Sequence, residues 1–343
     1  MKYKQLALSV AVLTALSGCQ TSSDTSDKPE KTNHLSQGVY EVEYGSAQAL
    51  AAQSKTLSQV MSFYCASNTD IEAVKQTWHE TMVRWMALQG QERGPEEALA
   101  QSWNIQFWPD KKNTTGRKMS ALIRQDQSAT QEDIAQQSVT VQGLGSIEWL
   151  LYDKGSDLID NAQTCSTATS ITTNIELNTA SIAQAWSTNP WVELDEKRWE
   201  SEYIALLSNQ LEYSMKKMSR PLANFGKPRP YFSESWRSET SMQNLKANVE
   251  AMQALYFANG QGLDALLREK GKAELADRIA NQFAMTVETW PAEQSLFSML
   301  QTKPGYQYAY SQYNKLEQLK YLIHEEVAIE LGVIIGFNAT DGD

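Results

Sequence analysis

Apolar residues recur every three or four positions along most of this chain, and that period constrains the fold more than any other feature. Ile71, Val74, Trp78, Met82 and Trp85 fall on one stripe of a helix. Thr69 or Asn68 is placed to cap that helix, and Gly90 to stop it. The same period runs through about 46–66, 115–125, 139–152, 157–185, 195–218, 234–258, 262–288 and 305–335. Strict alternation is sparse, and only 17 Gly and 9 Pro interrupt the 343 residues. The expected body is all-α.

The first residues follow a different logic. Met1-Lys2-Tyr3-Lys4 is positively charged, and the apolar run Leu6 to Leu16 is too short to span a bilayer. It ends in Leu16-Ser17-Gly18-Cys19, which resembles the lipobox of bacterial lipoproteins. On that resemblance residues 1–18 form a signal peptide and the Cys19 thiol takes a diacylglycerol. Further acylation, as by palmitate, gives stable anchoring where a single chain is marginal. Gln20 in place of Asp resembles lipoproteins sorted to the outer membrane and facing the periplasm. Residues 19–38, rich in Ser, Thr, Asp and Lys, read as lipidated cysteine and flexible tether, with His34 in it.

The break at Asn189-Pro190-Trp191 divides the remainder into 39–190 and 191–343, expected as two packed halves, each like a four-helix bundle. Trp78 and Trp199, Pro109 and Pro228, Arg117 and Arg237, and Gln142-Gly143-Leu144 and Gln261-Gly262-Leu263 are all about 120 residues apart. Duplication and chance both accommodate that spacing. A net charge of −11 with no basic stripe gives nucleic acid nothing to bind. Outside the cytoplasm, Cys65 and Cys165 are either one disulfide or two buried thiols.

Four stretches carry a family resemblance. They are Gly94-Pro95 with Trp103-Asn104-Ile105-Gln106-Phe107-Trp108-Pro109-Asp110-Lys111-Lys112, then Gly143-Leu144-Gly145-Ser146-Ile147-Glu148-Trp149-Leu150-Leu151. Ser235-Trp236-Arg237-Ser238 opens what reads as a helix through Asn244 to Asn248, and the tail runs Leu331 to Asn338 and on to Asp341-Gly342-Asp343. In this order they resemble the imelysin family. The resemblance implies two packed helical bundles, an extracytoplasmic location, and either a metallopeptidase or a component of iron uptake.

One position departs from the family motif Gly-x-His-x-x-Glu: residue 145 is Gly. A His and a Glu three apart share a helix face and can hold one metal between them. Here Glu148 stays and the imidazole is gone, and Ser146 points about 100° away around the helix. His34, His79 and His324 are the three histidines, and none has a partner at zincin spacing. Gly143 and Gly145 inside a helical pattern each cost about 1 kcal/mol against Ala. Either helices pack closely there, or the lost imidazole leaves room for a ligand with Glu148 as its acidic wall. Glu148 can equally be paired with Arg117 or Arg237. The aromatic loop 103–113, with Asp110 and Lys111, either plugs the core or rims a cleft, and Trp236 and Arg237 are open to the same two roles.

The candidate ligand or metal site is therefore Gly143, Gly145, Ser146, Glu148, Asp110, Lys111, Arg117, Trp236 and Arg237, at the interface of the two halves, with no catalytic residue assigned. The expected role is a non-catalytic metal- or ligand-binding accessory in iron uptake, with iron or another divalent cation as candidate cargo. Iron-transport or redox proteins of the envelope are the candidate partners. The alternatives are a peptidase with an atypical site and a structural module with no cleft.

Overall fold

The computed structural model describes residues 32–67 and 70–333. Cys19 and the acidic tail at Asp341 and Asp343 lie outside them. The described residues are helical, with no strand beyond one isolated bridge between Asn224 and Lys227. In order the α-helices are α1 (Gln37–Ser67), α2 (Ile71–Trp85), α3 (Glu96–Leu99), α4 (Ser102–Ile105), α5 (Thr114–Leu122), α6 (Gln131–Gln136), α7 (Leu144–Tyr152) and α8 (Ala162–Ala185). After residue 190 come α9 (Glu196–Leu222), α10 (Ser241–Phe257), α11 (Leu263–Glu269), α12 (Ala273–Glu288), α13 (Leu296–Met299), α14 (Lys303–Lys320) and α15 (Val327–Leu331). A π-helical turn, Tyr321–Glu326, joins the last two. Among the described residues no helix is long and apolar enough to cross a membrane.

The α2 stripe behaves as its period requires. Val74, Trp78, Met82 and Trp85 are buried, and Ile71 packs against them from the edge. Each large side chain removed from water contributes about 1.5–3 kcal/mol. Asp70, rather than Asn68 or Thr69, caps α2 by accepting from the Glu72 amide. Gly90 closes the following turns at φ 81°, where its missing Cβ leaves room for the Tyr213 ring.

α1 packs along α8 and α2, α9 packs along α14 and α10, and α12 lies against α10 and α14. The two groups share one continuous apolar core: α10 touches both α1 and α2. Cys65, late in α1, and Cys165, early in α8, are joined by a disulfide across Cα atoms 5.5 Å apart.

The break at 189–191 is not an exposed linker. Trp186, Trp191, Trp199 and Tyr203 form a chain of aromatic contacts there, and all four are buried. His34 belongs to this packing and not to a tether: its ring bonds Ser36 Oγ and the Leu194 carbonyl, each at 2.8 Å, and meets Trp199 edge-on. The body therefore begins by residue 32, and helix α1 starts at Gln37, nine residues before the expected 46.

Several expected helices are shorter or divided. The 139–152 segment splits into a 3-10 turn, Val139–Val141, and α7, and 262–288 splits at Gly271, φ 76°. The 234–258 segment starts only at Ser241, because Ser235 (φ 49°) and Glu239 (φ 61°) adopt left-handed backbone that breaks a helix. Gly143 and Gly262 occupy matching places, each an extended N-cap after a 3-10 turn with carbonyl oxygens pressed where a Cβ would sit. The 120-residue echo is thus repeated in backbone geometry at this pair.

Candidate functional site

Gly143 is not a helix interior residue. It is the N-cap of α7, and a Cβ there would lie 2.3 Å from the Ile105 carbonyl oxygen and 2.6 Å from that of Asn104. It lets the 103–108 segment press against the helix start. Gly145, two residues on, is the opposite case: a Cβ would meet nothing within 4 Å. Where the family motif carries an imidazole, this chain has open space.

That space belongs to a cavity of about 300 Å³. One wall comes from Gln106 to Thr115, and the floor from Gly145 and Glu148 on α7. The facing wall comes from Tyr231 to Arg237, across residue 190 in the sequence. Phe107, Trp108, Tyr231, Phe232 and Trp236 bring aromatic rings to both walls. Trp236 also packs with Tyr231 and Phe297. The Trp108–Pro109 peptide bond is cis.

Glu148 is 6 % exposed. Its Oε1 accepts from the Ser238 backbone N–H at 3.0 Å and from the Ser238 hydroxyl at 2.9 Å. Burial pushes its pKa up, while the Ser238 bonds and the nearby Arg237 charge oppose that rise. Arg237 does not ion-pair with it. The guanidinium Nε bonds Asp153 Oδ2 at 2.7 Å, Nη2 bonds Asn113 Oδ1 at 2.8 Å, and the group lies 4.3 Å from the centre of the Trp236 ring.

The other sequence candidates divide. Asp110 and Lys111 line the cavity, but both Asp110 oxygens accept amide N–H groups at the start of α5, from Thr114 at 2.6 Å and Thr115 at 2.8 Å. Ser146 does not reach the cavity: its hydroxyl turns back to the Gly143 carbonyl at 2.6 Å. Arg117 is exposed, bonds Thr114 Oγ1 at 3.5 Å, and pairs with no carboxylate among the described residues. Gly143 serves packing and lines nothing. His79 sits half-buried against Trp78, its pKa lowered by burial, and His324 lies beside Glu325 in the π turn. Neither faces the cavity.

A buried ion pair behind the cavity was not anticipated. Lys217 Nζ and Glu234 Oε2 are 2.6 Å apart with side chains 0 % and 1 % exposed. Lys217 also donates to Gln89 Oε1 and Asn248 Oδ1, and Glu234 Oε1 accepts from Gln89 at 2.6 Å and Gln106 at 3.0 Å. Trp85 Nε1 donates to Gln106 in turn. This network ties α2, α9 and α10 to both cavity walls, since Gln106 lies in one and Glu234 stands beside Ser233 and Ser235 in the other. Burial pulls the Lys217 pKa down and Glu234 pulls it up. No local pattern singles out Lys217, because α9 carries Glu, Lys, Ser and Asn among its apolar residues and its burial on nearly every side is visible only in the fold.

The donors do not suit a metal ion held by protein side chains alone. Among the described residues no three of His, Cys, Asp and Glu come together. The cavity offers one carboxylate half-committed to Ser238 and another committed to two amides.

Fold and site together define an all-helical protein with an aromatic-walled cavity over a buried carboxylate. The chain belongs to the imelysin family, whose model matches residues 43–323. An imelysin-like protein from Psychrobacter arcticum 273-4 has the same fold, with a TM-score of 0.73 at 18 % identity over 88 % of this chain and 96 % of that one. A protein taken to be an iron-regulated protein A precursor, from Parabacteroides distasonis ATCC 8503, superposes at 0.58 with 15 % identity over 87 % and 96 %. A search of curated proteins gave no match.

Proposed function

We propose that this is a lipid-anchored envelope protein that binds a ligand in the cavity over Gly145 and serves iron uptake as a non-catalytic accessory. The observation that carries the binding role is the open space at Gly145 beside buried Glu148, inside a cavity with aromatic walls. Pockets of this composition are the usual form of small-ligand sites. The process rests on less: the family, and the name of the Parabacteroides protein. The anchor rests on Leu16-Ser17-Gly18-Cys19. Hydrolysis gains no support from the cavity, which presents neither an imidazole nor a clustered set of metal donors.

The test is growth of the source bacterium, deleted for this chain, under iron limitation. Wild-type protein is expected to restore growth. Gly145→Phe, which fills the open space, is expected to fail at equal abundance. Equal restoration by both would overturn the cavity's role, and a deletion with no growth defect would overturn the process. In the same strain a Cys19→Ser chain is expected in the soluble fraction, and retention in the membrane would overturn the anchor.

A further inference from the structure

We infer that the cavity takes a small organic cation: an amine on an apolar or aromatic body, with its N–H groups over Gly145 and against Glu148. The inference rests on the binding role proposed above and names the chemical class of the ligand.

Charge bookkeeping around the cavity leads there. Among the described residues, the charged side chains beside the cavity other than Glu148 are held by a counter-charge or by backbone amides, or lie exposed at the rim. Arg237 is spent on Asp153, and Lys217 on Glu234. Asp110 is spent on two backbone amides, and Lys111 and Lys112 are exposed at the rim with no ion pair to Glu148 among the described residues. Among the described residues Glu148 has no ion pair, and its hydrogen bonds, both from the neutral Ser238, fall on Oε1. The oxygen left to the cavity is Oε2. A buried carboxylate with no cation against it is costly, and a bound cation relieves that cost.

The lining points to a cation. Ser233 is one of the lining residues, but its hydroxyl oxygen, which has no hydrogen-bond partner among the described residues, is closed off from the open space. The aromatic lining attracts cations through the faces of its rings, as Arg237 on Trp236 already illustrates. The open volume above Gly145 lies in the same cavity as Glu148, so a ligand nitrogen seated there has the carboxylate beside it. A bare metal ion would instead want several free oxygen or nitrogen ligands, which this lining does not bring together. At about 300 Å³ the cavity suits a molecule of about one ring with a short amine arm.

The probes are phenethylamine, phenylacetate and p-cresol, titrated by calorimetry into the full folded chain. They share a ring and differ in charge. Phenethylamine is expected to bind about tenfold or more tightly than either of the others. Glu148→Gln keeps an acceptor for Ser238 and removes the charge, and it is expected to erase the preference. Gly145→Phe is expected to abolish binding. No phenethylamine binding, a preference for phenylacetate or p-cresol, or a preference that survives Glu148→Gln would each overturn the inference. The growth test of the cavity role uses no amine. It can succeed while this inference fails, and phenylacetate binding lost in Gly145→Phe would show that combination directly.

Discussion

Arg237 gives its guanidinium to Asp153 at 2.7 Å and leaves Glu148, its neighbour in the same cavity, without an ion pair. The aspartate that follows α7 thereby keeps the glutamate inside α7 available. Asp153→Asn is expected to loosen Arg237, which already feels the Glu148 charge, and let it compete for Oε2. Phenethylamine affinity should fall by about fivefold or more. Unchanged affinity would show that Arg237 is not held in reserve by Asp153.

Lys217 and Glu234 make the second relationship on which the cavity depends. Removing one partner strands the other in a dry interior, where an uncompensated charge costs about 3–5 kcal/mol. Lys217→Met is expected to lose about that much in urea unfolding, and Lys217→Met with Glu234→Gln to recover part of it. A loss below about 1 kcal/mol in the single variant would mean that water reaches the pair.

The two glycines of the motif should respond in opposite directions. Gly145→Ala adds a methyl group into open space and helix propensity to α7, a gain of about 0.5 kcal/mol so near the helix start. Gly143→Ala forces a Cβ into two carbonyl oxygens and should cost more than about 1 kcal/mol. Thermal melts of both variants check the contrast, and equal shifts would contradict the geometry.

Glu43 provides a pH signature independent of the cavity. Burial pushes its pKa up from 4.5 to about 8, and the hydrogen bond that it accepts from Gln91 Nε2 only partly opposes that. The folded protein therefore holds a proton that the unfolded chain releases near pH 4.5. Stability from this group is full below that pH and is lost as pH rises through about 8. Glu43→Gln should flatten the fall in stability between pH 5 and 8, with its largest advantage at the alkaline end. Parallel wild-type and variant curves would show that Glu43 ionises freely.

Much of the fold was legible because helices announce themselves locally. The α2 stripe, the scarcity of Gly and Pro and the Asn189 break all reflect contacts within a few residues or one face. The misplaced boundaries share a cause. Left-handed backbone at Ser235 and Glu239, and the N-cap role of Gly143, are set by what packs from elsewhere. At the site, Gly145 and Glu148 could be read from a motif, and Asp110, Lys111, Trp236 and Arg237 do line the cavity. Ser146 and Arg117 do not, because one satisfies its own helix end and the other faces solvent. Lys217 with Glu234 was illegible. The meaning of that pair lies in which side chains meet in three dimensions, and spacing along the chain does not encode that.

Native mass spectrometry of the protein purified from its own cells bears most directly on whether the space over Gly145 holds a ligand. Wild-type protein should carry a small non-covalent adduct that Gly145→Phe lacks. The same adduct in both, or none in either, would contradict a ligand-binding cavity.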